Sequence, residues 1–449
     1  MRPSSAASSP EDNDLKSGQA AFAQADFRDY WLARILGALA IDMHITAVGW
    51  QIYALTSNPL DLGLVGLVQI LPFFVLFPLA GIAADRWPRK RVLSACIAVQ
   101  AVCAMAFCGL TATGAITVPA MLLILSFFGL SRAFQSPTQQ AIVPGLVPPA
   151  ALPNALAWNA TASQAARIAG PGIAGVMIMA GEVWVYGAVA LLLLVSSGLT
   201  FRIRAATRMA SRTPLRFGTV FAGLQFIWRR PALFGALAVD LVAVLLGGAT
   251  ALLPIYAKDI LQVGPWGFGL LRGAHMLGAL SGALYFTQRP IRRHAGHKLL
   301  LGVALFGLSI VVFGLSTHVV LSLVALWFLG AADSVSAFIR SILVQFMTPN
   351  DMRGRVSAVS SVFIGASNEL GEFESGVTAA WWGVVPAVVV GGIGAIAAAA
   401  LFAYLFPQLR RIDTLTLEAL RPQGHHEEAH VGKGQQAPGQ TRSGAGPPA

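Results

Sequence analysis

Long apolar stretches separated by short polar segments run through most of this chain. An α-helix needs about 20 apolar residues to cross the hydrocarbon core of a bilayer, and such stretches recur between Tyr30 and Phe406. We predict twelve spans, at residues 30–55, 62–84, 92–111, 118–140, 155–178, 183–203, 232–255, 266–286, 298–316, 319–340, 356–380 and 384–406. The pattern therefore predicts an all-α membrane protein whose surrounding solvent is lipid.

The composition agrees with this class and disfavours others. The chain is 55% hydrophobic and 11% charged, whereas a soluble domain carries roughly 25% charged residues. Its net charge of +11 lies in short loops rather than on a polar domain, so no nucleic-acid partner is expected. Because Cys96, Cys103 and Cys108 all fall in one predicted span, they predict neither a disulfide framework nor a metal site.

The basic residues are distributed unevenly among the loops. If the N-terminus is cytoplasmic, the cytoplasmic loops hold most of them, including seven arginines from Arg202 to Arg230, and the opposite loops hold only Lys258. This asymmetry follows the positive-inside rule. The first 25 residues lack the apolar core of a cleavable signal peptide. We expect a multi-pass protein of the bacterial inner membrane with both termini in the cytoplasm.

The two halves of the chain resemble each other at a nearly constant offset. GALAID at 37–42 returns as GALAVD at 235–240, and IYA at 52–54 returns at 255–257. Such a repeat predicts two pseudo-symmetric six-helix bundles with a cavity between them that opens to one side at a time. The predicted organisation is a disordered cytoplasmic N-terminus at 1–27, a bundle at 28–204, a basic cytoplasmic linker at 205–231, a second bundle at 232–408 and a largely disordered cytoplasmic tail at 409–449.

The linker between the bundles has no acidic residue from Arg202 to Arg230. Four apolar residues recur in it at helical spacing, namely Phe217, Phe221, Leu224 and Trp228. This pattern predicts an amphipathic helix on the inner leaflet, in contact with anionic lipid.

Residues 81–91, at the end of the second predicted span, read GIAADRWPRKR. This segment resembles the loop motif of the major facilitator superfamily, Gly-x-x-x-Asp-Arg-x-Gly-Arg-Lys-Arg, with Pro88 in place of the second glycine. The resemblance assigns the motif to Gly81, Asp85, Arg86, Arg89, Lys90 and Arg91. It implies that the carboxylate fastens neighbouring helices on the cytoplasmic side in one state. Anchoring of the topology by the basic residues is the alternative.

Two further segments resemble this superfamily. Residues 170–175 of the fifth span, GPGIAG, are similar to the Gly-Pro motif of its antiporters, which assigns that motif to Gly170, Pro171, Gly172 and Gly175. Close packing of small residues explains this segment equally well. Residues 366–376 of the eleventh span, ASNELGEFESG, resemble the bacterial enterobactin-exporter-like drug-efflux subgroup. The resemblance covers about residues 25–410 and implies the major facilitator fold and export of a small molecule.

Ionisable side chains at bilayer depth are costly and usually face the interior of a bundle, so each is a functional candidate. They are Asp42, His44, Arg132, Arg167, Asp240, Arg272, His275, Asp333, Arg340, Glu369, Glu372 and Glu374. We expect Asp42 and its repeat mate Asp240 to couple transport to protons, because burial favours the neutral form of a carboxyl group and lets it carry a proton. Structural ion pairing is the competing explanation for both.

Four other charges are assigned to proton coupling or substrate binding. Arg132 resembles the fourth-span arginine of the superfamily, which would release a proton from a nearby carboxylate, bind an anionic substrate or brace helices through carbonyl bonds. Arg167 fits the same roles. Glu369 and Glu372 share a helix face and could bind a cation or share a proton. For Glu372, an ion pair with an arginine across the bundle is the favoured alternative.

We therefore expect a monomeric secondary transporter that exports a siderophore-like or drug-like molecule, driven by the proton gradient. Its partners would be this small molecule, protons and membrane lipids. No ATP-binding loop, HExxH motif or nucleophile elbow occurs, so no catalytic residue, cofactor or metal is assigned. A proton-coupled uptake symporter is the alternative within this class, and a non-transporting receptor or scaffold on the same fold is the alternative of another class.

Overall fold

The computed structural model of the chain describes residues 20–204, 217–289, 293–349 and 352–412, with side chains except at 73–86, 217–221 and 358. The first six long helices are α1 (Ala25–Thr56), α2 (Pro59–Arg86), α3 (Arg89–Ala112), α4 (Val118–Ile142), α5 (Leu152–Ile178) and α6 (Glu182–Arg202). After a shorter helix, α7 (Phe217–Trp228), come α8 (Pro231–Leu246), α9 (Gly264–Gln288), α10 (Ala295–Leu315), α11 (Val319–Met347), α12 (Arg353–Trp382) and α13 (Val384–Leu405). Every predicted span overlaps one of the twelve long helices.

One predicted span is interrupted. Helix α8 ends at Leu246, and the chain continues through a 3-10 turn at Ala249–Leu252 and a π-helical turn at Tyr256–Ile260. Gly247 and Gly248 stand at the break, where a Cβ atom on Gly247 would lie 2.7 Å from Ile310. Two adjacent glycines weaken a helix and here permit close packing. The apolar stretch continues through them, so the apolar pattern alone predicted one continuous span.

The predicted internal repeat is confirmed by the helix packing. In the first half, α1 packs on α5 and α6, α4 packs on α2 and α3, and α3 packs on α6. The equivalent helices of the second half, α8 to α13, make the same five pairings. The halves meet mainly through α2 against α12 and α5 against α9, two contacts that the repeat symmetry interchanges. The predicted architecture of two pseudo-symmetric six-helix bundles is therefore confirmed.

Three of the four helices at this junction, namely α5, α9 and α12, are not among the described helices that are apolar enough to span a membrane. Eight described helices are long and apolar enough to span a membrane: α1, α3, α4, α6, α8 with its continuation to Ile260, α10, α11 and α13. The remaining four, α2, α5, α9 and α12, are those that join the halves. The part of α2 whose side chains the structure describes, Pro59–Pro72, is a shorter apolar helix. Large apolar side chains such as Leu123, Leu191 and Leu301 are exposed, as expected where lipid covers the surface.

Because the helices alternate in direction, α1 begins and α13 ends on the same side of the molecule. We call this side the terminal side and the opposite one the far side.

Some residues of the predicted termini form structure at the two ends of the described chain. A 3-10 turn covers Ala20–Ala23, and at the other end Leu409 is buried and the N–H of Gly296 donates to the carbonyl of Ile412 at 3.0 Å. Apolar residues at these positions pack on the bundles. Residues 1–19, 205–216 and 413–449 lie outside the described chain.

The predicted amphipathic helix of the linker is α7. Its Ile227 is buried and its Trp228 is exposed. Gly223 faces α12, where an added Cβ atom would lie 2.9 Å from the carbonyl oxygen of Arg355. The side chains of Phe217 and Phe221 lie outside the described residues. Helix α7 therefore packs on the start of α12, and its contact with anionic lipid stays a prediction.

Candidate functional site

A cavity of about 440 Å³ lies between α2 and α4 of the first half and α12 of the second. Its wall consists of Gln69, Ile70, Gly129, Arg132, Ser136, Pro137, Gln140, Gly354, Ser357, Ser361, Val362, Gly365 and Glu369. Helix α4 ends and α12 begins on the terminal side, so the wall runs from that side to the middle of both helices. The cavity therefore extends from the terminal side to Gln69, Arg132 and Glu369.

The inner end of this cavity is an ion pair that joins the halves. The Nη1 atom of Arg132 lies 3.3 Å from Glu369 Oε1 and 3.2 Å from Gln69 Oε1. Gly129 lets α4 approach α2 closely here, because a Cβ atom on it would lie 2.9 Å from the Cα of Gln69. Arg132 follows Gly129 by three residues and so points into the same junction. The Arg132 side chain keeps 40% of its surface exposed, which leaves guanidinium N–H groups facing the cavity.

The two glutamates differ in their contacts across the bundle. Glu369, rather than Glu372, pairs with an arginine across the bundle. Glu372 lies one turn further along α12, beside Gly66 of α2, where an added Cβ atom would be 3.3 Å from its Oε2. Among the described residues Glu372 makes no ion pair within 4.0 Å. One turn of helix places Glu372 nearer the far side than Glu369.

Asp42 is half-buried on α1, against α5. A Cβ atom on Gly170 would lie 2.7 Å from that of Asp42, so this glycine creates the space for the carboxylate. The charges of Arg272, Arg167 and Arg132 all act on Asp42, and Arg272 comes from α9 of the other half. Within the described chain, none of the three lies within 4.0 Å of the carboxylate, so Asp42 sits in a positive field without a fixed partner.

Asp240 has a different environment from its repeat mate. It is 5% exposed and pairs with Arg340, itself 7% exposed. The hydroxyl of Ser336 also donates to Asp240 Oδ1 at 3.0 Å. Both partners lie on α11, so the pair ties α8 to α11 inside the second half. This geometry favours structural ion pairing for Asp240.

The described part of the loop motif binds helix ends. Arg89 Nη1 donates to the carbonyl of Ala141 at 2.6 Å, and Lys90 Nζ donates to that of Ile203 at 2.7 Å. These contacts hold the start of α3 against the C-terminal ends of α4 and α6, where cations are favoured. Arg91 is exposed. The side chains of Gly81, Asp85 and Arg86 lie outside the described residues, so the fastening role of Asp85 stays a prediction.

The Gly-Pro segment lies where the halves touch on the far side. A Cβ atom on Gly175 would lie 3.1 Å from the Cα of Gly269 on α9. Pro171 also contacts Gly269, whereas Gly172 has open space around it. At the symmetry-related junction, a Cβ atom on Gly63 of α2 would lie 3.0 Å from the Cα of Gly376 on α12. Backbone contact therefore closes the far side while the terminal side holds a cavity.

Sequence reasoning missed several residues of this junction. Gln69 and the hydroxyl and amide groups of the cavity wall are uncharged, so a search for intramembrane charge passes over them. Arg272 is charged and was therefore among the candidates. It was assigned no role, because its proximity to Asp42 depends on how the two halves dock.

A family model described as transmembrane secretion effector matches residues 16–435. The enterobactin exporter EntS of Citrobacter koseri is 26% identical over 394 residues, which cover 86% of this chain and 92% of that protein. EntS of Escherichia coli O139:H28 is 26% identical over 396 residues, again with 86% and 92% coverage.

Solved structures resemble this one at lower identity. A bacterial homologue of the human lysosomal transporter Spinster, in an inward-facing and occupied conformation, gives a TM-score of 0.70 at 12% identity and covers 91% of this chain and 100% of that chain. The xylose transporter XylE from E. coli, in an inward open conformation, gives 0.64 at 13% identity, with 88% and 99% covered. These likenesses concern the fold alone, and they confirm the major facilitator fold expected from the sequence.

Proposed function

We propose that this chain, which belongs to the transmembrane secretion effector family of the major facilitator superfamily, exports a small molecule across a bacterial inner membrane in exchange for protons. As a member of that family it is a multi-pass secondary transporter and not an enzyme. The direction of transport, the coupling ion and the class of substrate are the proposed parts.

The observation that carries the proposal is the Arg132–Glu369 ion pair at the inner end of the cavity. It joins one half to the other at the point where the cavity stops. Access can alternate only if the halves move relative to each other, so a bond between them at this point must be made and broken during transport. Protonation of Glu369 would remove its charge and weaken that bond.

Asp42 is the second proposed proton-coupling group. Arg132, Arg167 and Arg272 act on it from three helices and from both halves, so a movement of the halves changes the field at its carboxylate. A change in that field changes how readily the carboxyl group holds a proton. Movement and protonation are thereby linked. Glu372, which lies on the face of Glu369 without an ion pair in the described chain, belongs to the same group of acids.

The cavity wall supports a proposal about the kind of molecule that is carried. Serine hydroxyls, glutamine amides and one partly exposed arginine line it together with aliphatic and glycine surface. A volume of about 440 Å³ lies within the range of sites for drug-sized ligands. The related proteins named as enterobactin exporters support a siderophore-like or drug-like substrate that offers hydrogen-bond acceptors to Arg132.

The distribution of basic residues supports an orientation. Arg89 and Lys90 lie on the terminal side, and the positive-inside rule assigns such loops to the cytoplasm. The cavity would then open to the cytoplasm, from which an exporter takes its substrate.

Everted inner-membrane vesicles test the proposal directly. In such vesicles the interior is acidified by respiration, and an exporter that exchanges protons for solute dissipates this gradient when its solute is added. We expect proton efflux with at least one member of a panel of catecholate siderophores and amphipathic drugs. Glu369→Gln should abolish that efflux, because the side chain can neither ionise nor pair strongly with Arg132.

Glu374→Gln is the matched control, since Glu374 lies on the same helix but not in the cavity wall. It should retain the solute-dependent flux. Flux of wild-type size in Glu369→Gln would remove the ion pair from the coupling mechanism. Solute leaving the acidified vesicles together with protons would identify an uptake symporter, and absence of flux for the whole panel would favour a receptor or scaffold.

A further inference from the structure

A polar contact closes the far side of the molecule, opposite the cavity. The hydroxyl of Tyr53, near the end of α1, donates a hydrogen bond to the carboxylate of Asp259. The Nζ atom of Lys258 lies 5.1 Å from the centre of the Tyr53 ring. Tyr53 belongs to the first half, whereas Lys258 and Asp259 belong to the second. One buried tyrosine, 5% exposed, is therefore held by two charged side chains from the other bundle.

The break after α8 makes this contact possible. Lys258 and Asp259 lie in the π-helical turn Tyr256–Ile260, where the N–H of Leu261 donates to the carbonyl of Tyr256 at 2.7 Å. A π-turn widens the helix by one residue and so changes the direction of the side chains within it. Such turns are rare and lie frequently at functional sites. Here the turn directs two consecutive charged residues to the same tyrosine, Asp259 to its hydroxyl and Lys258 to its ring.

The repeat shows that this arrangement is not a general property of the fold. Tyr256 is the repeat mate of Tyr53, and its hydroxyl donates to the carbonyl of Gly314 at 2.9 Å within its own half. Both tyrosines are buried and hydrogen-bonded. Only the copy in the first half reaches across to the second.

Apolar packing lies beside the contact, whereas Asp259 is exposed and Lys258 is half-buried. Trp50 stacks on Phe268 with ring centres 6.1 Å apart, and Gly49 faces Pro254. Hydrogen bonds to charged groups are stronger than neutral ones. The glycine contacts at Gly63 and Gly175 supply shape but no such directional bond.

We infer that Tyr53, Lys258 and Asp259 form a latch that holds the far side closed while the cavity is open on the terminal side. This inference rests on the proposed alternating access. When the halves rock, Tyr53 separates from the π-turn and the far side opens. The latch thus sets the balance between the two states, independently of which solute or ion is transported.

Distances between spin labels on the two halves test the latch. Ala115 and Thr317 are exposed loop residues on the far side, one in each half, and each is replaced by a labelled cysteine in the full chain lacking its three native cysteines. Electron double resonance in lipid nanodiscs then reports closed and open populations. Tyr53→Phe keeps the ring over Lys258 but removes the hydroxyl. We expect the ratio of open to closed molecules to rise about tenfold, the effect of losing a hydrogen bond to a charged group.

Tyr256→Phe is the matched control, because it removes the equivalent hydroxyl from a bond inside one half; its distance distribution should equal that of the parent. Asp259→Asn should shift the distribution in the same direction as Tyr53→Phe. An unchanged distribution in Tyr53→Phe, or an equal shift in Tyr256→Phe, would overturn the latch. Because labelled distances need no substrate, a wrong assignment of solute or coupling ion would leave this result unaffected.

Discussion

Asp42 and Asp240 occupy matching places in the sequence repeat and have opposite environments in the structure. Asp42 is half-buried in the field of three arginines without an ion pair among the described residues. Asp240 is buried and fixed to Arg340 and Ser336. A carboxylate with several distant cations can change its protonation as they move, whereas a carboxylate in a closed pair cannot do so without breaking it. A duplicated residue therefore need not keep a duplicated role.

The difference comes from the register in which the helices cross. Gly170 of α5 packs on Asp42, whereas its repeat mate Gly371 packs on Val244 and Leu245, about one turn beyond Asp240. The crossing in the second half thus leaves Asp240 facing α11 instead of the junction. Helix α8 also breaks at Gly247 and Gly248 just past this crossing, whereas α1 continues without interruption to Thr56.

The largest expected effect is the loss of proton flux when Asp42 is replaced. Asp42→Asn removes the ionisable group but keeps its size and the space under Gly170. We expect solute-dependent proton flux in everted vesicles to fall to background, because an amide cannot exchange a proton. The apparent melting temperature of the purified variant should stay close to that of the parent, since no ion pair is lost. Full proton flux in this variant would assign coupling to the other acids alone.

The second-largest expected effect is a loss of stability when Asp240 is replaced. Asp240→Ala leaves Arg340 buried without its counter-charge, which typically costs about 3–5 kcal/mol. We expect a large drop in the melting temperature, followed through heat-induced reaction of the buried cysteines Cys96 and Cys103 with a thiol dye.

A double replacement separates pairing from packing at this site. Asp240→Leu combined with Arg340→Met replaces the pair by apolar side chains and should recover most of the lost stability. If it also restores proton flux, Asp240 has no part in coupling. Loss of flux in a stable double variant would return Asp240 to the proton pathway.

The smallest expected effect is a difference in stability between variants of two glycines in the Gly-Pro segment, Gly170 and Gly172. Gly170→Ala places a methyl group 2.7 Å from the Cβ of Asp42, and overpacking of this kind costs about 1–3 kcal/mol. We expect a lower melting temperature and reduced flux because Asp42 is displaced. Gly172→Ala meets no atom within 4 Å and should change the melting temperature little. Equal behaviour of the two variants would show that the segment acts through backbone flexibility rather than through Asp42.

Much of this architecture could be predicted from the sequence. The apolar stretches located all twelve long helices, because a helix that satisfies its own backbone in lipid needs about 20 apolar residues in succession. The offset between GALAID and GALAVD predicted the two bundles. The interruption of α8 was missed, since glycine pairs also occur within continuous membrane helices.

The site was predictable only in part. Charge at bilayer depth identified Arg132, Glu369 and Asp42, but the choice of Glu369 over Glu372 as the partner depends on a single turn of α12. The effect of the Arg272 charge on Asp42 depends on how the two halves dock. The contact of Tyr53 with Lys258 and Asp259 depends on the π-turn. Such distances arise from contacts between residues roughly 200 apart in the chain, and local patterns carry no information about them.

The acidic residues of α12, one of the helices that join the halves, also constrain how the protein is made. Helix α12 carries Glu369, Glu372 and Glu374, and a carboxylate at the centre of an isolated helix disfavours its insertion by roughly 2.5–3.5 kcal/mol. Its counter-charge, Arg132, belongs to a helix synthesised more than 200 residues earlier. We therefore expect the first bundle to be in place beside the translocon when the eleventh span leaves the ribosome, so that Arg132 can pair with Glu369.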